Sequence, residues 1–160
     1  GEKLAAPVIA VVDVQKIMQE SAAAKGIQAE IEAQRDKYQK EISGLEDKLR
    51  SAEQELRKQQ TVLSADALAK KRKEFETQVA EVQRTVQNRK RALDAGMGDA
   101  MGAVQKAMLE IIADVVRERG ANIVLARHQF VIVDTKLDIS DTVMERLNVA
   151  LPKVAVNIPK

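Results

Sequence analysis

The chain has 160 residues, 45% of them apolar and 31% charged, with a formal net charge of +2, no cysteine and only three aromatic residues, Tyr38, Phe75 and Phe130. That length suits one domain of ordinary size, the small net charge excludes binding to phosphate polymers by overall charge alone, and the missing thiols exclude disulfides and thiolate metal sites. The apolar count is carried by Ala, Val, Leu and Ile among long runs of Ala, Glu, Lys, Gln and Arg, the composition of extended helices, so much of the chain is expected to be rod rather than globule.

The opening Gly1-Glu2-Lys3-Leu4 lacks a starting Met and fits a mature exported chain or a remnant added ahead of one. After Pro7, the β-branched run of residues 8–14 predicts a buried strand. From Gln15 the pattern turns helical, and no proline interrupts it before Pro152. Steps of three and four from Ile31 visit Arg35, Tyr38, Ile42, Leu45, Leu49, Ala52, Leu56, Gln59 and Leu63, a coiled-coil seam. A second seam runs through Leu68, Arg72, Phe75, Val79, Val82, Val86, Arg89 and Leu93, then slips by a residue to Met97, Met101, Val104, Met108, Ile111 and Val115. Residues 61–66 separate the seams as a tip, with Ser64 a candidate N-cap for the returning helix. Partners across such an antiparallel hairpin have numbers summing to about 128, which sets Ile42 against Val86, Leu45 against Val82 and Leu49 against Val79. Residues 27–63 would reach about 55 Å as a helix.

Gly120 is placed as the C-cap that ends the returning helix. Residues 121–125 and 130–134 are expected as two strands of a hairpin turning at 126–129, followed by a helix over 138–151 capped by Asp138 or Ser140. The fold class is therefore α+β and predominantly helical: a small three-stranded body from residues 1–24 and 104–160, interrupted by a coiled-coil hairpin arm over 25–103. So thin a core needs other subunits.

The chemistry-bearing residues point away from catalysis. His128, the single histidine, falls in a turn without ligand partners, and Asp134, Asp138 and Asp141 sit where turn and cap carboxylates sit. No catalytic, cofactor-binding or metal-binding residue is assigned, and the protein is expected not to be an enzyme. No apolar stretch approaches the roughly 20 residues of a spanning helix. The distal arm, in contrast, is locally basic. Arg57, Lys58, Lys70, Lys71, Arg72 and Lys73 face only Asp66 in that stretch, and Arg84, Arg89, Lys90 and Arg91 follow without an acid between them. One such cluster is what any solvated helix face carries; two toward one end suggest steering of acidic partners or anionic lipid head groups, with Arg57, Lys58, Lys70, Lys71, Arg72, Lys73, Arg84, Lys90 and Arg91 as the binding candidates. Gly96, Gly98 and Gly102, with Gly26 opposite Gly102, form a weak place in the helix pair: either a hinge at the arm root or a site of close helix packing. The helical spacing of Met97, Met101 and Met108 favours core packing over partner contact.

The layout, with Val8-Ile9-Ala10-Val11-Val12-Asp13-Val14-Gln15-Lys16-Ile17 opening the chain and Ala121-Asn122-Ile123-Val124-Leu125 through Asp138-Ile139-Ser140-Asp141 closing it, resembles the Skp (OmpH-type) periplasmic chaperones along almost its whole length. The resemblance implies a homotrimer with tentacle-like arms around a cavity, an ATP-independent holdase that keeps unfolded outer-membrane β-barrel proteins from aggregating in the periplasm. Trimerisation would then fall to Val8, Ile9, Val11, Val12, Ile123, Val124, Leu125, Val131 and Val133. No lipopolysaccharide site is carried over, because this chain is only mildly basic. The rival expectation is a nucleic-acid-binding protein that uses the basic arm, and a third is a coiled-coil spacer that binds neither.

Overall fold

Two β-branched stretches from opposite ends of the sequence pair with each other in the computed structural model, which describes all 160 residues. Strand β1 (Ile9–Val12) and strand β2 (Ile123–Ala126) run parallel, in register from Ile9 on Ile123 to Val12 on Ala126. Parallel neighbours need a crossover, and here the crossover carries three helices: α1 (Val14–Glu20), α2 (Ala22–Gln59) and α3 (Ala65–Arg119). Helix α4 (Ser140–Ala150) follows two short 3-10 turns, Arg127–Gln129 and Thr135–Leu137.

The sheet departs from the sequence expectation. It has two strands rather than three, and no hairpin turns at 126–129. Residues 131–133 are not a strand: Val131 is 96% exposed and Ile132 87% exposed. Periodicity reported their β-branched character correctly, but a strand needs a ladder partner, and the free edge of β1 is instead met by a single bridge from Val11 to Asp138 and by the Ile139 N–H donating to the Val11 carbonyl at 2.9 Å. The first strand also ends earlier than expected, because Asp13 caps α1 by accepting from the Lys16 N–H at 3.0 Å.

Contacts divide the chain into two units, Gly1–Glu30 with Gly96–Asn157 and Ile31–Ala95 with Ile158–Lys160, called body and arm below. Polar side chains close the body over long sequence separations. The Asn122 side chain accepts from the Val8 N–H at 2.7 Å and donates to the Ala6 carbonyl at 2.8 Å. Ser140 Oγ accepts from the Asp13 N–H at 2.7 Å, and Asn148 Oδ1 accepts from the Ala22 N–H at 2.9 Å. Apolar burial from every helix completes this unit: Val11, Ile17, Ala23, Ala24, Ile27, Val104, Val115, Val143 and Leu147 are fully covered, and Met108 nearly so.

Helix boundaries follow capping chemistry. Buried Ser21 is extended and separates α1 from α2, its Oγ accepting from the Ala24 N–H at 3.3 Å. Ser64 caps α3 in the same way toward Ala67. At the far end of α3, Gly120 has φ +70, and the N–H groups of Gly120 and Ala121 donate to the carbonyls of Arg117 and Val116, the paired bonds of a Schellman motif. Helix α4 departs from the capping expectation: Ile139 stands at its N-cap without a side-chain bond, while Asp138 accepts from the Ser140 N–H at 2.8 Å and Ser140 Oγ is engaged with Asp13.

Candidate functional site

The arm, residues Ile31–Ala95, is where the candidate binding residues gather, and its packing decides what they can do. Tyr38, Ile42, Leu45, Leu49, Ala52, Leu56, Gln59 and Leu63 are half-buried at every seam position from 38 to 63, as the three-four spacing requires. Only Arg35 leaves the seam, where Gln34 takes its place. On α3, Leu68, Phe75, Val79, Val82, Arg89 and Leu93 are half-buried, whereas Arg72 and Val86 are exposed. Shared grooves fix the register: Leu45, Leu49 and Ala52 line one with Val82, and Ile42 lines another with Val86. Both pairings match sums near 128.

Two helices cannot enclose a seam. Between Glu32 and Arg91 no arm residue is fully buried, so the apolar seam stays open along both flanks. The groove at Leu45, Leu49, Ala52 and Val82 measures ≈ 370 Å³ and is rimmed by Lys48, Gln78, Glu81 and Thr85. It offers apolar contact in shallow, repeated form and no convergent polar groups of the kind that orient a small substrate.

Above Leu93 the second seam departs from expectation at one position: Val104, Met108 and Val115 are buried and Met101 and Ile111 half-buried. Met97, expected inside, is exposed, and the buried positions of α3 there are Ala92, Gly96, Ala100, Val104, Met108 and Ile112, four residues apart. Small side chains occupy the inner face, which a hydrophobicity pattern favouring methionine misses. Gly26, Gly98 and Gly102 are exposed, and a Cβ built on any of them meets nothing within 4 Å; Gly96 alone of the four is buried.

All nine basic candidates are exposed. Arg57 and Lys58 occupy the last turn of α2, with Arg57 paired to Glu53 at 3.1 Å. Lys58, Lys70, Lys71, Arg72, Lys73, Arg84, Lys90 and Arg91 form no ion pair. Four consecutive helical residues sweep about 300°, so residues 70–73 form a belt around α3, not a patch. Arg72 shares a cleft with Arg57 and Phe75, while Lys71 lines a different one with Glu55 and Glu74. Seven-residue spacing groups the cations differently: Lys70, Thr77, Arg84 and Arg91, with Lys73, Ala80 and Gln87 beside them, make an exposed stripe of α3 that itself holds no acid and is bordered on one side by Glu74 and Glu81. The stripe is not a consecutive run in the sequence and emerges only in the heptad register of α3.

One ion pair joins the two arm helices. Arg89 donates to both carboxylate oxygens of Glu41 at 3.0 and 2.9 Å, and its guanidinium lies 4.9 Å from the Tyr38 ring centroid. The hydrogen bond from Arg89 holds the Glu41 carboxyl below the usual carboxylate range, and the same bond raises the Arg89 pKa. A matching fork in the body, Arg146 to Glu118 at 2.9 and 2.6 Å, ties α4 to α3 and lowers the Glu118 pKa. His128 is exposed in the first 3-10 turn, and no cluster of three or more His, Asp or Glu is placed to hold a metal ion.

The expected trimerisation residues divide. Val11 and Val12 are buried within the chain's own core, while Val8, Ile123, Val124 and Val131 are exposed and Ile9, Leu125 and Val133 half-buried. No helix is long and apolar enough to cross a membrane.

Comparison with known proteins agrees with this geometry. No curated protein sequence matches significantly. A crystal structure of an OmpH-like protein from Caulobacter crescentus CB15, provisionally assigned as an outer membrane chaperone, superposes with a TM-score of 0.88 over 100% of this chain and 95% of that one. At 18% identity that likeness speaks to fold alone. The sequence model of a protein family described as outer membrane protein (OmpH-like) matches residues 8–147, most of the length, and the chain therefore belongs to the OmpH-like family.

Proposed function

We propose that this protein is an ATP-independent periplasmic holdase that binds unfolded outer-membrane β-barrel proteins and prevents their aggregation. The observation that carries the reading is the open seam: an arm with no fully buried side chain between Glu32 and Arg91 presents half-covered Leu, Ile and Val side chains in a series of separate shallow grooves. Such a surface gains little per contact and discriminates little between sequences, which suits a partner that is long, extended and variable. Membership of the OmpH-like family, which is not an enzyme family, supports a chaperone role. The acid-free stripe of Lys70, Lys73, Arg84 and Arg91 adds steering toward acidic chains or anionic lipid head groups.

In this reading several arms act together as a homotrimer. Exposed Val131 and Ile132, together with Val8 just ahead of β1 and Ile123 and Val124 of β2, supply apolar surface that a neighbouring copy would cover. Gly26, Gly96, Gly98 and Gly102 act as the hinge of the arm, because the exposed three lose helix stability without gaining packing.

The test is light scattering after dilution of a urea-unfolded outer-membrane β-barrel protein into nucleotide-free buffer with this protein at increasing ratio. Suppression saturating near one trimer per client is expected. Unchanged aggregation by a folded trimer would refute the reading, and salt-sensitive micromolar binding to DNA would then favour the nucleic-acid alternative.

A further inference from the structure

Residues 151–160 follow α4 without helix or strand, yet their burial is ordered. Val154, Val156 and Ile158 are half-buried, and Lys153, Ala155, Asn157 and Pro159 between and beside them are exposed. A period of two is the side-chain spacing of extended chain, so this segment lays one apolar edge against the protein and turns its other edge to solvent. Its place is marked in the body by the Val156 N–H, which donates to Glu30 Oε2 on α2 at 3.3 Å. No backbone ladder holds the segment. Three half-covered side chains and one bond to a carboxylate are a weak attachment, the kind that opens locally at low cost.

Membrane-spanning β-strands carry the same signature, about ten residues with apolar side chains at every second position. We infer that the surface beside Glu30 is a seat for extended chain with alternating apolar residues, and that residues 152–160 occupy it as an internal stand-in which a strand of an unfolded β-barrel client displaces. The inference rests on the holdase reading and adds to it a defined seat and a competitor built into the chain. Because the segment is tethered, it competes at an effective concentration in the millimolar range. A single short peptide therefore loses to it, and a long chain with many contacts does not. The device would keep weak, short apolar peptides off the protein while admitting whole unfolded barrels.

The experiment uses the full chain and a fluorescent synthetic peptide of residues 152–160, followed by anisotropy. In the variant Val154→Ser/Val156→Ser/Ile158→Ser the seat is vacated, and the peptide is expected to bind at least tenfold more tightly than to the parent. Unlabelled, urea-unfolded outer-membrane β-barrel protein should then displace it. Absence of peptide binding to a variant with parental circular dichroism and size would overturn the inference, as would binding that the β-barrel chain fails to displace. Hydrogen exchange on the parent provides a reading independent of the variant's folding: the amides of residues 153–158 should lose protection when client is added, and unchanged protection again overturns it. The light-scattering assay on the parent separates the two levels, since unsuppressed aggregation there counts against the holdase itself, whereas intact suppression without peptide competition counts against the seat alone.

Discussion

Body and arm use the same apolar residue types to different ends. In the body, Val11, Ile17, Ile27, Val104, Met108, Val143 and Leu147 come from β1, α1, α2, α3 and α4 and reach 0 or 1% exposure. In the arm, Leu45, Leu49, Val79 and Val82 keep part of their surface in water, and only Ile31 and Ala92 are buried. The difference lies in the number of elements surrounding each side chain, not in composition. A layer covered from several sides stores stability; a seam between two helices leaves apolar surface available for something else.

That contrast predicts unequal costs for the same substitution. Leu147→Ala should destabilise the protein by about 3 kcal/mol, the transfer and cavity cost of a fully enclosed leucine. Leu49→Ala, at a half-covered site, should cost about 1 kcal/mol. Urea midpoints at one fixed protein concentration measure both, and equal losses would erase the distinction between the two units. Smaller and opposite in sign, Gly98→Ala and Gly102→Ala should each stabilise by about 0.5–1 kcal/mol, because the added methyl meets no atom within 4 Å and the unfolded chain loses freedom. The pair should also narrow the distribution of tip distances between spin labels if these glycines serve as the proposed hinge; an unchanged distribution removes that role.

A third comparison concerns rate rather than stability. Replacing Lys70, Arg84 and Arg91 with Gln removes three of the four cations of one face of α3, whereas replacing Lys71, Arg72 and Lys90 removes as many from elsewhere on the helix. The first set should slow client capture severalfold at low ionic strength, with the difference vanishing at 0.5 M salt, where the screening length is only about 4 Å. Equal slowing by both sets would mean that net charge matters and the acid-free face does not.

The sequence made the helices legible because their evidence is redundant. The seam from Tyr38 to Leu63 repeats one instruction at every turn, and Ser64 and Gly120 mark ends by capping chemistry that depends only on near neighbours. The sheet was less legible because strand identity depends on a partner. Residues 130–134 carry β-branched side chains in abundance, but whether they pair is decided by which edges the chain leaves free, and Asp138 and Ile139 reach β1 first. Met97 is exposed for another reason. Ala92, Gly96 and Ala100 take the buried positions, and small side chains carry almost no hydropathy signal although they are what permits close approach. The binding candidates are legible one by one as cations, while their grouping into a stripe needs the helix register as well.

The smallest expected effect tests what ties the two arm helices midway. Arg89 grips Glu41 with two hydrogen bonds while lying over Tyr38, and the principal cause of the lowered Glu41 pKa is that hydrogen bond, with the charge of Arg89 contributing less. A carboxyl whose pKa is lower folded than unfolded contributes stability that is fully present above the unfolded pKa and is lost as pH falls through the folded one. The tie should therefore hold at neutral pH and release only in acid below the ordinary carboxylate range. Carboxyl-detected NMR titration of Glu41 should show its midpoint rising toward the ordinary value in Arg89→Gln. Arg89→Lys should recover only a minor part of the depression, since an ammonium keeps the charge but lacks the planar fork that meets both oxygens. Full recovery by lysine would make the tie a matter of charge alone, and the register it marks between Glu41 and Arg89 would then rest on the apolar seam without help from this pair.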